Sequence, residues 1–128
     1  MRKISLPITL VFCLITLACH GAIKKEVNAY IEERQNLIVE MGKAVEANPT
    51  NAGVDEARKI FEAKRADLKK KQDELFKKDI PFNLVQIILD STVSDNEMLN
   101  SIGNKIKDID ANQNFTKLQN EFSQAFHR

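Results

Sequence analysis

Cysteine, histidine and glycine are scarce in this chain of 128 residues, and their positions exclude several kinds of site. Cys13, Cys19 and His20 lie near the N-terminus, and the only other histidine, His127, is the next-to-last residue. These side chains do not have the spacing of a zinc site, and neither histidine lies in a segment that a rigid scaffold would hold for acid–base chemistry. The isolated glycines exclude a glycine-rich phosphate loop. We therefore expect no catalytic residue, no cofactor and no metal.

The chain also lacks a large excess of either positive or negative side chains. The whole chain carries a net charge of +1, and without Arg2 and Lys3 it has 17 basic against 18 acidic side chains. This balance excludes a strongly basic nucleic-acid binder, so we expect no nucleic-acid partner. The charge is uneven, because residues 52–78 carry nine Lys and Arg against six Asp and Glu, whereas residues 79–128 carry four against seven. This predicts a basic middle helix that packs beside an acidic C-terminal part.

The N-terminus has the pattern of a secretion signal. Arg2 and Lys3 supply positive charge, and residues 4–17 are mostly apolar. A run of about 14 residues suits a signal-peptide core and is shorter than the ~20 residues of a membrane-spanning helix. Small residues follow, and the composition turns polar from Lys24. We predict a signal peptide over residues 1–18, with residues 21 and 22 as alternative ends, and a single helical domain over 22–128.

The segment Thr16-Leu17-Ala18-Cys19 resembles a bacterial lipoprotein box. The resemblance covers only the signal segment, and it implies that Cys19 becomes the lipidated first residue of a protein tethered to a membrane in the bacterial periplasm. An ordinary signal peptidase could also cut before Cys19, or after Gly21, and release a soluble secreted protein. A lone thiol in an oxidising compartment invites mispairing, which favours lipidation. Cys13 lies inside the signal, so the mature domain has no internal disulfide.

The remaining sequence predicts an all-α fold built on a long antiparallel helical hairpin. Apolar residues at three-and-four spacing predict a first helix over 23–47, and a narrow, coiled-coil-like heptad seam predicts a second over 52–78. The first helix should end at Asn48-Pro49, because a residue before proline is pushed out of the α region. Thr50 or Asn51 can then cap the second helix. The stripe of the first helix is Val27, Tyr30, Ile31, Arg34, Leu37, Ile38, Met41, Ala44 and Val45, and the seam of the second is Val54, Phe61, Leu68 and Leu75.

Three shorter C-terminal helices are expected to pack on the hairpin. Pro81 suits the first turn of a short buried helix over residues 80–91. The segment Ser94-Asp95-Asn96-Glu97 has the capping-box pattern and predicts the start of another helix. The last amphipathic helix is predicted over 113–126. Between the last two helices, four oxygen-bearing residues match positions 1, 3, 5 and 12 of a calcium loop, but Phe115 stands where that loop needs glycine, so we expect an ordinary turn. These residues are Asp110, Asn112, Asn114 and Glu121.

Two further sites in the helices are open to more than one interpretation. Lys69, Lys70 and Lys71 could contact an anionic surface, or they could form a solvated face interleaved with acids. Arg34 lies in the apolar stripe of the first helix, where it either extends its charged end to solvent or pairs with a buried acid of the second helix.

The sequence therefore predicts an exported, non-catalytic helical protein, tethered to a membrane by a lipidated Cys19, that binds another protein or self-associates. The observations behind this prediction are the signal, the amphipathic hairpin and the lack of catalytic patterns. One alternative is a periplasmic binder of anionic ligands or lipid head groups that uses the basic helix. A second alternative is a small enzyme of unknown type.

Overall fold

The computed structural model describes residues 5–127, with side chains described from residue 21 onward. It contains four helices: α1 (Ser5–Ala47), α2 (Asn51–Phe76), α3 (Phe82–Asn104) and α4 (Ile109–Phe126). No strand occurs in this described range, and the predicted all-α class is confirmed. The predictions of export and lipidation depend on Arg2, Lys3 and the side chain of Cys19. These groups lie outside the described part of the structure.

Helix α1 is longer than predicted, because it begins at Ser5 instead of at residue 23. Its 43 residues run continuously through the expected cleavage region. Gly21 alone does not stop a helix, since one glycine costs only about 1 kcal/mol relative to alanine. Across the part of the chain that the structure describes, no helix is both long and apolar enough to cross a membrane.

The predicted turn between the first two helices is confirmed. Helix α1 ends at Ala47, directly before Asn48 and Pro49, and Thr50 takes an extended conformation ahead of α2. The Thr50 side chain does not cap α2 as expected. Its hydroxyl donates to the side-chain oxygen of Asn48 at 2.7 Å, so it stabilises the turn itself.

Helices α1 and α2 pack against each other as an antiparallel pair. The heptad residues of α2 are all buried, and Phe61 among them also contacts Phe122 and Phe126 of α4. Two ion pairs flank this seam, Lys71 with Glu33 and Lys78 with Glu26. From the first pair to the second, the residue number increases by seven in α2 and decreases by seven in α1, as it does between antiparallel helices. Exposed pairs of this kind contribute little stability, so the hairpin depends on the buried apolar seam.

The predicted pair of helices over 80–91 and from Ser94 onward is wrong, because the chain forms one helix there, α3. Of the four residues Ser94, Asp95, Asn96 and Glu97 that suggested a new helix start, only Asp95 lies on the inner face of α3. Ser91 and Asp95 are buried in register with the apolar residues of that face and point toward Arg34 of α1. The buried face is Leu84, Ile88, Ser91, Asp95, Leu99 and Ile102, at a spacing of three and four. The capping-box residues therefore lie in the interior of a helix, where Asp95 has a buried partner and the other three face solvent.

Helix α4 begins at residue 109, four residues before the predicted start, because Asp108 caps it. The carboxylate of Asp108 accepts a hydrogen bond from the backbone N–H of Ala111 at 2.8 Å. All four residues of the calcium-loop pattern lie inside this regular helix, so they cannot wrap around an ion as a loop does. The ion pair between Arg58 of α2 and Glu121 of α4 is the kind of contact that the uneven charge predicts.

The four helices form a bundle in which α3 runs parallel to α1 and α4 runs parallel to α2. Helix α1 packs on α2 and α3, and α4 packs on α2 and, less extensively, on α3. Helix α4 is the shortest and ends where Phe126 meets Phe61 of α2, with ring centroids 6.0 Å apart. Beyond that point, toward the α2–α3 connection, the bundle has three helices and a groove between α2 and α3.

Candidate functional site

The centre of the bundle holds a buried arginine. Arg34 is completely buried, in contrast to the prediction that its charged end reaches solvent. The alternative prediction, a buried ion pair, is correct in kind but not in partner, because the acid is Asp95 of α3 and not a residue of α2. The Arg34 guanidinium also donates from Nη2 to Ser91 Oγ at 2.5 Å and lies 5.3 Å from the centre of the Tyr30 ring.

Asp95 is the hub of this cluster, since three side chains converge on its carboxylate. Arg34 Nε lies against Asp95 Oδ2, Gln35 Nε2 donates to Oδ1 at 3.2 Å, and His127 Nε2 is 2.8 Å from Oδ2. The sequence suggested that no scaffold holds His127. The structure corrects this, because α4 places His127 at its C-terminus with the ring almost fully buried and its edge against Phe122.

Ser91, Asp95 and His127 are the residue types of a hydrolase triad, but their arrangement differs from that of a triad. A triad histidine bonds its acid through one ring nitrogen and the serine through the other. Here the second ring nitrogen, Nδ1 of His127, is buried and has no hydrogen-bond partner within residues 5–127. The Ser91 hydroxyl instead accepts from Arg34 and donates to the carbonyl of Ile88 at 2.5 Å. The cluster therefore connects three helices without presenting a nucleophile.

A tyrosine extends the polar core toward α2. The Tyr30 hydroxyl donates to Gln72 Oε1 at 2.7 Å, and both side chains are buried. Burial raises the pKa of Tyr30, and the neighbouring Arg34 offsets part of this rise. Because a phenol is neutral when protonated, the folded state favours the protonated form.

We expect stability to depend on this hydroxyl at high pH. A folded-state pKa above the unfolded value of about 10 gives stability that is complete below pH 10 and is lost as the pH rises through the folded pKa. Tyr30 is the only tyrosine and there is no tryptophan, so ultraviolet difference spectra report this group alone. The native protein should titrate at higher pH than the protein in denaturant. Identical titration curves would contradict the buried placement, and Tyr30→Phe should remove the spectral change.

An apolar groove lies on the outer side of the contact between α1 and α3, which we call the α1–α3 groove. Its volume is about 490 Å³. Ile38 and Ile102 form its floor, Val39 and Met98 form its sides, and Val39 remains 44 % exposed. Gly42 permits the close approach of the two helices, because a Cβ there would lie 3.1 Å from the end of Ile102. The rim carries both charge signs, in Lys43, Glu46 and Glu97.

A second apolar groove, which we call the α2–α3 groove, lies beyond the end of α4. Its volume is about 380 Å³. Phe76 of α2 and Val85, Ile88 and Leu89 of α3 line it. Ile80 and Lys78, from the connection between these helices, complete the lining. Next to it, Phe82 is 82 % exposed, the largest exposed fraction among the large apolar side chains of the described chain.

The three lysines that the sequence singled out lie near one another but in different surroundings. Lys69 is 3.5 Å from Asp73, and Lys71 is paired with Glu33 and Asp67, which raise its pKa. Lys70 is exposed and has no partner among the described residues. Consecutive residues on a helix point about 100° apart, so the three ammonium groups diverge. Anionic contact through them stays a prediction.

The buried cluster could not be found from sequence spacing, because its members come from three distant segments. Arg34 in an apolar stripe was the one signal, and it indicated a buried charge without naming the partner. In the described residues, no group of three or more His, Cys, Asp or Glu side chains could hold a metal ion. Comparisons of the chain with protein-family models, with curated proteins and with solved structures find no match.

Proposed function

We propose that this chain is an exported, non-catalytic helical protein that is tethered to a membrane through lipidated Cys19 and binds a helix of another protein. The observation that carries the binding proposal is the α1–α3 groove. The signal-like N-terminus and the lipoprotein-like segment before Cys19 support the location. The buried Arg34–Asp95–His127 cluster serves to align α1, α3 and α4, so the groove between α1 and α3 is held in a fixed shape.

The α1–α3 groove has the composition of a protein interface. Such interfaces have an apolar centre and a polar rim, and the buried Ile38 and Ile102 with a rim of mixed charge follow that pattern. The groove is open along its length, whereas a small-molecule site encloses most of its ligand. An amphipathic helix that inserts apolar side chains between Val39 and Met98 suits a groove between two parallel helices.

A crosslinking experiment tests this proposal in the bacterial envelope with the full chain. A photo-crosslinking amino acid is placed at position 39, and at position 93 as the matched control. Val93 is a valine on α3 that is more exposed than Val39, 59 % against 44 %, and lies outside the α1–α3 groove. We expect one adduct of defined mass from position 39 and none from position 93. We also expect Met98→Glu to reduce the adduct at least about tenfold, because it places a charge on the apolar side of the groove.

The alternative outcomes are informative. Equal adducts from positions 39 and 93, or none from position 39, would contradict the proposal. An adduct of twice the chain mass would favour the second candidate, self-association through the same groove. Circular dichroism of Met98→Glu shows whether the variant remains helical, and Lys43→Glu on the rim provides a milder variant that leaves the apolar lining intact.

Tethering is tested separately by intact mass spectrometry of the protein from its native membrane. We expect the mass of an acylated Cys19 terminus, and release of the protein from the membrane fraction in Cys19→Ala. An unmodified terminus at Cys19 or Ala22 would contradict lipidation and would leave the α1–α3 groove as a site in a soluble exported protein.

A further inference from the structure

Lysines and exposed apolar side chains meet at the end of the bundle where α2 passes into α3. We call this surface the α2–α3 end and define it by Lys24, Lys25, Phe76, Lys77, Lys78, Ile80 and Phe82. Lys78 pairs with Glu26, which places the first residues of the mature α1 beside the connection. Ile80 is half-buried against the core, so the connection is held in place and Phe82 is left exposed next to it.

The charges of this surface are mostly unneutralised. Lys24, Lys25 and Lys77 are exposed and form no ion pair with the described residues. The acids near them are Glu26, which is paired with Lys78, Glu74, which lines one cavity with Glu26 and Lys78, and Asp79, which is exposed. Four lysines therefore stand against three acids, and three of the lysines form no ion pair with the described residues. Clusters of four or more basic residues beside a membrane attachment point are typical of surfaces that bind anionic lipids.

The apolar part of this surface is aromatic and continuous with the α2–α3 groove. Phe82 stands almost free of the protein, and Phe76 is 43 % exposed. Aromatic rings are favoured at the boundary between lipid head groups and acyl chains. The α2–α3 groove opens beside them, with Lys78 among its lining residues, so an acyl chain in the groove would place its head group near an ammonium group.

The direction of α1 determines which end of the bundle would lie nearest a membrane to which the N-terminus is attached. Helix α1 continues from Lys24 toward residue 5 without a break, so the backbone of residues 5–17 and of Cys19 leaves the bundle at the α2–α3 end. Cys19 is five residues before Lys24, about 8 Å along a helix. Attachment of either the apolar segment or a lipid on Cys19 would therefore bring Phe82 and the lysines to the membrane surface.

We propose that the α2–α3 end docks on an anionic lipid membrane, with Phe82 inserted at the interface and Lys24, Lys25 and Lys77 against lipid phosphates. A protein partner is the less favoured occupant, because Phe82 is 82 % exposed and does not line the α2–α3 groove. The proposal takes from the proposed function only the statement that the protein reaches a membrane. The contact is predicted to form without lipidation of Cys19.

Vesicle binding by residues 22–128 tests the contact. This fragment contains every buried side chain of the described core, from Val27 to Phe126, so it holds the complete bundle. We expect co-sedimentation with phosphatidylcholine vesicles that contain phosphatidylglycerol, and little with phosphatidylcholine alone. A lysine near an anionic surface changes partitioning about fivefold, so replacing Lys24, Lys25 and Lys77 together with Glu should lower it about 100-fold or more.

Matched controls separate this surface from the basic helix. Replacing Lys69, Lys70 and Lys71 together with Glu changes the net charge by the same amount at positions about 9 Å or more along α2 from Lys77. We expect this control to bind within about fivefold of the parent protein. Phe82→Ala should weaken binding about fivefold, as expected when one exposed ring no longer enters the interface, whereas Val93→Ala should change binding less than twofold.

Several results would overturn the proposal. They are equal binding to neutral and anionic vesicles, absence of binding to both, or loss of binding in the Lys69–Lys71 variant with retention in the Lys24, Lys25 and Lys77 variant. The last result would favour the basic helix as the anionic contact. None of these outcomes affects the crosslink from position 39 or the mass of the Cys19 terminus, so a failure here is distinguishable from a failure of the proposed function.

Discussion

Replacing Asp95 with Asn is expected to lower the free energy of unfolding by about 3–5 kcal/mol, because it leaves a buried guanidinium without its counter-charge. Arg34 and Asp95 are both completely buried. After Asp95→Asn, the Arg34 guanidinium keeps only neutral partners, the Ser91 hydroxyl among them, and its buried positive charge has no counter-charge. Nη1 of Arg34 already lacks a hydrogen-bond partner within residues 5–127, so the site has no spare acceptor.

Removing the arginine instead of the aspartate should lower the free energy of unfolding by a smaller amount. Arg34→Met leaves the Asp95 carboxylate with His127 and Gln35 as hydrogen-bond partners, and methionine keeps most of the arginine's buried volume. Urea denaturation of the two variants gives the comparison, and Glu56→Gln in the exposed pair with Lys59 provides a control with an expected change below about 0.5 kcal/mol. A loss below 1 kcal/mol for Asp95→Asn, or a larger loss for Arg34→Met, would contradict the central role of Asp95.

Gly53→Ala is expected to destabilise the protein by about 3 kcal/mol, even though alanine is the better helix former. A Cβ at position 53 would lie 1.7 Å from the carbonyl oxygen of Asn48 and 2.7 Å from its carbonyl carbon. These are backbone atoms of the turn between α1 and α2, so no side chain can rotate away. The two helices would have to separate at the turn, and Val54 and Ala57, both fully buried, would lose their packing.

Gly42→Ala is the matched control, since it is the same substitution in the interior of a neighbouring helix. The nearest atoms there are the flexible end of Ile102, at 3.1 and 3.2 Å. We expect a change of at most about 1 kcal/mol in either direction, because the small shift of Ile102 opposes the gain in helix propensity. Thermal unfolding followed by circular dichroism measures both variants, and similar melting temperatures for the two would contradict the tight turn at Gly53.

The hairpin was predictable from the sequence because its signals are local. The heptad of α2 and the proline at position 49 each act within a few residues, and both correspond to what the structure shows. The start of α4 was missed by four residues although its signal is also local. Asp108 caps the helix, but the run of Asp and Asn that follows resembles an ordinary turn.

The single helix α3 could not be predicted in the same way, because its continuity depends on a partner distant in sequence. Asp95 was assigned to the cap of a new helix because it was assumed to face solvent. Facing Arg34 together with Ser91, it completes the inner face of one helix. A charged residue in an apolar stripe indicates that some opposite charge is buried nearby, but local spacing does not identify it.

The candidate site was predictable only in part. The sequence indicated an amphipathic hairpin and a basic second helix, and the structure places two open apolar grooves on different faces of the bundle. The exposure of Phe82 and the contact of Lys78 with Glu26 depend on how the helices meet at the α2–α3 connection, and no spacing rule gives that geometry.

Because Arg34 and His127 both contact Asp95, the order in which these residues leave the ribosome or the export channel affects folding. A chain that is made or threaded across a membrane from its N-terminus presents Arg34 first, Asp95 sixty-one residues later and His127 last. The hairpin can form early, but its buried arginine has no counter-charge until α3 arrives, and the Asp95 carboxylate has its full set of partners only when α4 has been added. The incomplete chain therefore stays easy to unfold, a property that the proposed export across a membrane would require.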